Sequence, residues 1–396
     1  MKDLKVFAKT FEQEASNQVY ALANYEPYKG SKIRIMPDAH AGKGCTIGTT
    51  MTIDKAVTPN LVGVDIGCGM LTIEILESNL DLEHLDFAIN NNIPCGFLVN
   101  DDWRQNPAWY VMSYLKKTLS SLKCFRTIDL DRALRSIGTL GGGNHFIEVN
   151  HSNKTDKNYL VIHSGSRNLG VRVCKYYQEK AYKSLQRNGN VTKELINKLK
   201  SEGREKDIAS ELKKLKTTNI NKELAHLTGQ DMKEYLNDME IVQEYARFNR
   251  ECIADIILGY MNWNSIQCFH TVHNYIDTEN MILRKGAVSA KKGEILLIPM
   301  NMRDGSLLCV GNGNVDWNFS APHGAGRLMS RTKAKNDLSL DEFKDSMKDI
   351  FSSSVCRETI DESPNAYKDM DEIIEAINPT VSILDIIKPI YNFKAH

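Results

Sequence analysis

The sequence predicts an α/β fold, on three observations. Short apolar, β-type runs alternate with glycine-bearing loops from Ile33 to Met70, from Leu140 to Gly170, and from Cys268 to Arg327. Between the last two blocks, from about Lys175 to Leu258, residues such as Leu195, Leu199, Leu212, Leu215, Met232, Tyr235, Leu236, Met239, Tyr245 and Phe248 recur at helical spacing among many charges, which marks a helical excursion from a sheet-based core. A chain of 396 residues can bury a sizeable core as one large α/β domain, and no apolar run approaches the roughly twenty residues that span a bilayer.

Taken in order, Val6, Phe7, Phe11, Ala15, Val19 and Leu22 predict an amphipathic helix between Lys5 and about Tyr25. Ile33 to Met36 reads as a strand that runs into the loop Pro37 to Gly44, which carries Asp38, His40 and Lys43; loops placed by a strand are common sites of chemistry. Thr46 to Ile53, rich in β-branched residues, is the next strand. Leu61 to Val64 is then expected as a strand that delivers Asp65 and Cys68 onto a turn with glycines at 63, 67 and 69. Residues 80 to 130 carry an apolar helical face from Trp109 to Leu122 and no evident chemistry.

Gly141, Gly142 and Gly143 open a strand bearing Asn144, His145 and Glu148, and three successive glycines imply close backbone approach to a phosphate or to another strand. The strand Tyr159 to Ile162 ends in His163, followed by Ser164, Ser166 and Arg167 on a glycine loop. His270 and His273 lie three apart on a strand and so face opposite ways, which allows at most one of them into a common site. Ile295 to Ile298 is a strand, and a glycine-rich stretch then leads to His323, flanked by Pro322 and by Gly324, Ala325 and Gly326. With no bulky neighbours this imidazole can reach an incoming phosphorus. A helical run ends near Ile377, and a last strand covers Ile386 to Phe393.

Composition narrows the function. Fifty basic residues balance fifty acidic ones, so a polyanion must be met by a local patch rather than a global field. Lys198, Lys200, Arg204, Lys206, Lys213, Lys214 and Lys216 in the helical stretch are interleaved with acids and read as a solvated face. Nine cysteines are scattered without paired CxxC spacing, and Met1 to Lys5 lacks the apolar core of a signal peptide, so a reducing cytoplasm is expected. No GxxxxGK[ST] loop and no KxDG motif occurs, which disfavours a P-loop NTPase and a lysine nucleotidyl-transferase.

Taken singly, each candidate has a plainer account: a buried cysteine beside a turn-forming aspartate, or a satisfied core histidine. Together, Asp65, Cys68, His145, His163 and His273 each stand at a strand-loop junction and supply thiolate, carboxylate and imidazole. That set can hold two borderline divalent ions if the thiolate bridges, and it leaves His323 free as nucleophile or acid/base.

PDAHAGKG, VGVDIGCGM, GGGNHFIEV, HSGSRNLG, HNY, SAPHGAGR, AYKD and Lys394 resemble, in order and across nearly the whole chain, the RtcB family of GTP-dependent RNA-splicing ligases. The resemblance implies stacked, mainly antiparallel sheets around a metal cleft, surrounded by helices. It implies that Asp65, Cys68 and His145 ligate one Mn2+ and Cys68, His163 and His273 a second. His323 would attack the α-phosphorus of GTP, while Asn144, Glu148, Asn274, Ser306, Gly324, Ala325, Gly326 and Lys394 hold the guanylate. GMP would pass to an RNA 3'-phosphate, opened from a 2',3'-cyclic phosphate where needed, and a 5'-hydroxyl would displace it. An archease-type activator is the protein partner such a family suggests, and no membrane is involved. Arg167 is a candidate for the terminal phosphate by its charge and fork geometry, and Tyr367 for stacking.

The chain departs from the common pattern at Val272, where many members have a second histidine, at Asn312 and Asn314 in a loop where relatives often have Lys, and in Ala395 and His396 beyond the terminal lysine. The competing readings are a dinuclear phosphoesterase, an RNA 3'-end guanylyltransferase without sealing activity, and a non-catalytic RNA-binding module.

Overall fold

The computed structural model describes residues 3–10, 12–42, 44–105, 109–187, 190–208, 210–211 and 221–395. Phe11, Lys43, Leu212, Lys213, Lys214, Leu215, Lys216 and His396, all singled out in the sequence, lie outside the described residues. Among those described, the strands are β1 (Asp3–Val6), β2 (Lys32–His40), β3 (Ile47–Thr52), β4 (Ala56–Val57), β5 (Gly69–Ile75), β6 (Phe146–Ser152), β7 (Lys157–Ser164), β8 (Leu227–Thr228), β9 (Ser265–Val272), β10 (Asn274–Asp277), β11 (Ile282–Lys285), β12 (Ala287–Ser289), β13 (Ile295–Asn301), β14 (Gly305–Gly311), β15 (Ser320–Pro322) and β16 (Val381–Lys394). The helices are α1 (Gln13–Ala23), α2 (Leu82–Asn92), α3 (Trp109–Ser120), α4 (Leu130–Arg135), α5 (Arg167–Arg187), α6 (Asn190–Ser201), α7 (Gly229–Met261), α8 (Arg331–Asp337), α9 (Leu340–Ser346) and α10 (Met370–Ile377). The α/β class and the mainly antiparallel sheets are as the sequence predicts.

Two sheets carry the architecture. One has five strands in the order β1-β2-β3-β11-β10, and the other seven in the order β13-β14-β16-β6-β7-β5-β9. The larger sheet curls into a half-barrel, and its two edges approach each other where Leu297 N–H on β13 donates to Thr271 Oγ1 on β9 at 3.1 Å. Its concave face holds Met70, Phe146, Val161, Leu297 and Ile387, and its convex face packs Leu71, Ile73, Ile147 and Ile162 against α2 and the end of α7. The chain passes from the larger sheet to the smaller one at a single residue, His273, between β9 and β10.

The expected N-terminal helix is shorter than its periodicity suggests. Asp3–Val6 pairs in parallel with β2, and Phe7 stacks on Trp317 at 3.8 Å between ring centroids, so an open sheet edge captures these residues. Leu61 to Val64 is not a strand. Pro59 sets a 3-10 turn over Pro59–Leu61, Gly63 takes a positive φ of 96°, and the strand begins only at Gly69. Conversely, β2 runs on through His40, so Asp38 and His40 sit on a strand and not on the loop expected for them. The last strand also starts earlier, at Val381.

Among the described residues α5, α6 and α7 run through the stretch expected to be helical, and α7 contributes to the core. Met232, Tyr235, Met239, Val242 and Tyr245 fill the layer beneath the smaller sheet, and Ile253, Ala254 and Ile257 fill the layer behind the larger one. Two of the described basic residues of this stretch pair with acids, Lys198 with Glu202 and Arg204 with Asp207, as a solvated face would.

Gly69 shows how tightly the central strands are set. A Cβ there would lie 2.5 Å from the Thr271 carbonyl oxygen and 2.8 Å from Val272 Cα. Gly69→Ala is therefore expected to force β5 and β9 apart and cost about 2–3 kcal/mol of stability, read as a lowered thermal midpoint with weakened divalent-metal binding. An unchanged midpoint would contradict this packing.

Candidate metal and nucleotide site

The half-barrel brings one end of four neighbouring strands together. Antiparallel registers pair Phe146 with His163, Met70 with His163, and Gly69 with Val272, so the start of β6, the end of β7, the start of β5 and the end of β9 lie side by side. His145, His163, Cys68 and His273 stand at or just beyond those ends. Cys68 Sγ lies 3.4 Å from His145 Nε2 and 3.3 Å from His163 Nε2, and Asp65 Oδ2 lies 3.1 Å from His145 Nε2. His163 and His273 meet edge to face at 5.1 Å between centroids. His270 faces away, 3.3 Å from Glu251, as strand alternation requires.

These groups suit a divalent cation. His145 Nδ1–H donates to the Leu140 carbonyl at 2.8 Å, which fixes the tautomer and leaves Nε2 toward Cys68 and Asp65. The Nδ1 atoms of His163 and His273 are buried without a hydrogen-bond partner among the described residues, and His163 presents its Nε2 to Cys68. Burial, with repulsion from neighbouring imidazoles, holds both rings well below the usual histidine range, so they carry the neutral form that ligates. Burial works against the Asp65 carboxylate, but the combined pull of His145, Cys68 and His273 outweighs it and brings its pKa to about 2. Burial and the Asp65 charge push the Cys68 thiol up; a cation reverses that balance, because thiolate is the ligand form. Cys68, His145 and His163 form the tightest group, with ligand atoms all within 4.8 Å of one another.

His323 comes from outside both large sheets, beside the separate two-stranded pair of β12 and β15. It follows β15, and its ring lies 5.0 Å from His273 between centroids. Its Nδ1 sits 2.6 Å from Asp38 Oδ2, which also accepts the His323 backbone N–H at 3.1 Å. An Nδ1–H donated to this buried carboxylate leaves the Nε2 lone pair free. Gly326, at φ 76°, allows the loop to lie against β2, since a Cβ would come within 2.4 Å of the Asp38 carbonyl oxygen.

A cleft of about 840 Å³ joins these groups. Asp65, Cys68, His163 and His273 line it beside Asn144 and Asn274, and so do His323, the Gly324–Gly326 segment, Glu148 and Lys394. Ser306 does not line it; it pairs with Pro299, which does, and its buried Oγ has no partner among the described residues. His145 stands behind the lining. Lys394 Nζ bonds Glu362 Oε2 at 2.9 Å and the Asn144 carbonyl at 3.4 Å. Arg327 and Arg331 also bond Glu362; burial opposes its charge, but Lys394 and these guanidiniums bring its pKa to about 2. Tyr367 donates to Glu362 at 2.7 Å under the Arg327 guanidinium, so the stacking suggested for it is met within the protein. Arg167 opens α5 at a positive φ of 56° and donates to Thr139 Oγ1 at 3.1 Å and the Gly96 carbonyl at 3.0 Å.

Four contributors are missing from the site residues chosen in the sequence. Asp38 was visible only as one acid in a polar loop, and Glu362 lies outside every glycine motif. Asn249 and Arg250 sit on consecutive positions of α7 and are fully buried. Asn249 donates to the Thr139 carbonyl and Ser164 Oγ, and Arg250 Nη1 donates to the Gly67 carbonyl at 2.8 Å and the Ser164 carbonyl at 2.9 Å. One helix thus ties the Cys68 turn to the end of the His163 strand. Two adjacent polar residues interrupting an apolar stripe were the available signal.

The family model described as "tRNA-splicing ligase RtcB" matches residues 18–395. The chain belongs to the RtcB family. It is 30% identical to the RNA-splicing ligase RtcB of Escherichia coli strain K12, over 96% of this chain and 93% of that protein. It is likewise 30% identical to RNA-splicing ligase RtcB1 of a second Escherichia coli strain, over the same shares of each. Similarity to the tRNA-splicing ligase RtcB of the archaeon Aeropyrum pernix is 24%, over 86% of this chain and 83% of that one. The RtcB match spans both sheets and the helical stretch between them. Among the described residues no helix is long and apolar enough to cross a membrane.

Proposed function

We propose that this protein joins RNA 3'-phosphate or 2',3'-cyclic phosphate ends to 5'-hydroxyl ends, using GTP and two Mn2+ ions, in RNA repair or tRNA splicing. The observation that carries this reading is the Asp38–His323 pair, which turns an unencumbered imidazole nitrogen into a cleft walled by a Cys/His/Asp cluster. Asp65, Cys68 and His145 would hold one ion and Cys68, His163 and His273 the other, and the ions would neutralise charge on the reacting phosphates.

The protein's own groups then account for the sequence of steps. His323 Nε2 forms a bond to the α-phosphorus of GTP as the bond to pyrophosphate breaks, giving a GMP-histidine phosphoramidate. Asp38 keeps the Nδ1 proton and stabilises the positive charge that develops on the ring. An RNA 3'-phosphate oxygen displaces His323 and takes GMP; a 5'-hydroxyl then attacks the phosphorus of that RNA 3'-phosphate, loses its proton, and releases GMP as the strands join. Asn144, Asn274 and the backbone of Gly324, Ala325 and Gly326, which line the cleft, hold the guanylate, and Ser306 lies behind Pro299 out of its reach. Glu148 and Lys394, which line the cleft, face the donor and acceptor edge of guanine. Arg167 meets the terminal phosphate with the guanidinium donors its two internal bonds leave over.

The test is incubation of the purified protein with α-phosphate-labelled GTP and Mn2+, followed by RNA carrying a 3'-phosphate and a separate 5'-hydroxyl strand. The expected result is an acid-labile labelled protein band that disappears as joined RNA accumulates. Label without joining would favour a guanylyltransferase. No label with any divalent metal, with an archease-type activator supplied, would sink the ligase reading in favour of a phosphoesterase.

A further inference from the structure

Beneath the guanine-facing end of the cleft lies a buried polar group that none of the roles above uses. Glu148 and Asn150 alternate along β6, so both side chains face the concave side of the half-barrel, and Asn392 is the direct cross-strand partner of Glu148 on β16. Asn392 Nδ2 donates to Glu148 Oε1 at 2.5 Å, and Asn150 Nδ2 donates to Glu148 Oε2 at 3.3 Å. Both asparagines are fully buried, and Glu148 is 3% exposed.

Each asparagine spends its donor on the carboxylate at a cost. Asn150 Oδ1 and Asn392 Oδ1 are buried and unpartnered among the described residues. The reverse amide orientation would aim those oxygens at Glu148 and would suit only a protonated acid, which can donate. The observed orientation suits the anion. Burial alone drives Glu148 toward the neutral acid, to about 7, against the pull of Lys394 and the two amides. Lys394 is the nearby cation, and its ammonium is already bonded to Glu362.

The protonation state decides which base can be read. A carboxylate offers two acceptors and matches the adjacent N1–H and N2–H donors of guanine; a neutral acid offers one donor and one acceptor and matches the N1 and N6–H of adenine. We propose that Asn150 and Asn392 are specificity-determining positioning residues, which hold Glu148 as an acceptor-only group and thereby select guanine over adenine nucleotides. The inference rests on the proposed reading of Glu148 as the guanine contact. Each Glu148 oxygen accepts one amide, which leaves one lone pair on each for the base.

The test measures binding of GMP, IMP and AMP by calorimetry, which needs no turnover, and KM and kcat for label transfer from GTP. It compares wild type with Glu148→Gln, Asn392→Asp, Asn392→Leu and Asn150→Asp. Asn→Asp keeps the volume and removes the donor, so it separates positioning from packing, and thermal midpoints identify folded variants. Asn392→Asp and Asn150→Asp are expected to narrow the GMP-to-AMP affinity ratio by about 10-fold or more and to raise KM for GTP while kcat stays within about 3-fold. IMP, which lacks the 2-amino donor, should be less affected than GMP. If Glu148→Gln weakens GMP but the folded asparagine variants keep the wild-type ratio, the clamp is refuted and the guanine contact stands. If Glu148→Gln leaves GMP binding unchanged, both fall.

Discussion

Replacing His323 with alanine is expected to abolish covalent transfer of labelled GMP to the protein, while metal content and thermal midpoint stay close to wild type. The side chain is partly exposed in the cleft and packs little core, so its loss removes chemistry rather than stability. Asp38→Asn is the sharper companion. The amide keeps the shape, but it can present an N–H to Nδ1, which favours the tautomer that places the ring proton on Nε2, the attacking atom. Guanylylation should fall by about 10²- to 10⁴-fold with little change in KM for GTP. A fall confined to KM would mean that Asp38 serves binding and not the nucleophile. Full activity in Asp38→Asn would remove Asp38 from the mechanism.

Cys68→Ala should have the second large effect, and at a different step. Among the described residues Cys68 is the one group within 3.4 Å of both His145 and His163, so losing it removes the proposed shared ligand of both ions. Bound Mn2+, measured after gel filtration, should drop by at least one ion per chain, with label transfer falling by about 10²-fold or more. A His323→Ala protein with full metal and a Cys68→Ala protein without it would separate nucleophile from metal centre. Retention of both ions by Cys68→Ala would refute the bridge.

Much of this site is legible from residue type and local order. Cys68, His145, His163 and His273 each stand at or beside a strand end, with Asp65 on the turn just before Cys68, and antiparallel pairing then makes their meeting a matter of register. What the sequence hides follows from distance along the chain. Asp38 and His323 are 285 residues apart, and no periodicity connects them. Arg250 and Asn249 read as polar positions on an amphipathic helix, because burial on α7 is decided by two layers packing on its two halves. Leu61 to Val64 has strand composition, yet Pro59 and the positive φ of Gly63 impose a turn. The short strand at Asp3–Val6 exists because β2 presents an open edge, a fact of topology and not of local propensity.

The position of His273 carries one more consequence. It is a proposed metal ligand and also the residue at which the chain leaves the half-barrel for the five-stranded sheet, and its carbonyl accepts the Ala287 N–H at 3.3 Å near the His323 loop. The metal cluster hangs on the half-barrel, and the attacking imidazole follows the separate two-stranded sheet of β12 and β15 and is held by Asp38 on the five-stranded sheet, so the reach between them depends on how that sheet sits against the half-barrel. A displacement of one sheet along the other by a fraction of an ångström would move the nucleophile relative to the phosphorus without disturbing either half of the machinery. Substitutions in the packing between the sheets, distant from any ligand, should then act as a throttle on turnover while leaving metal and nucleotide affinity intact.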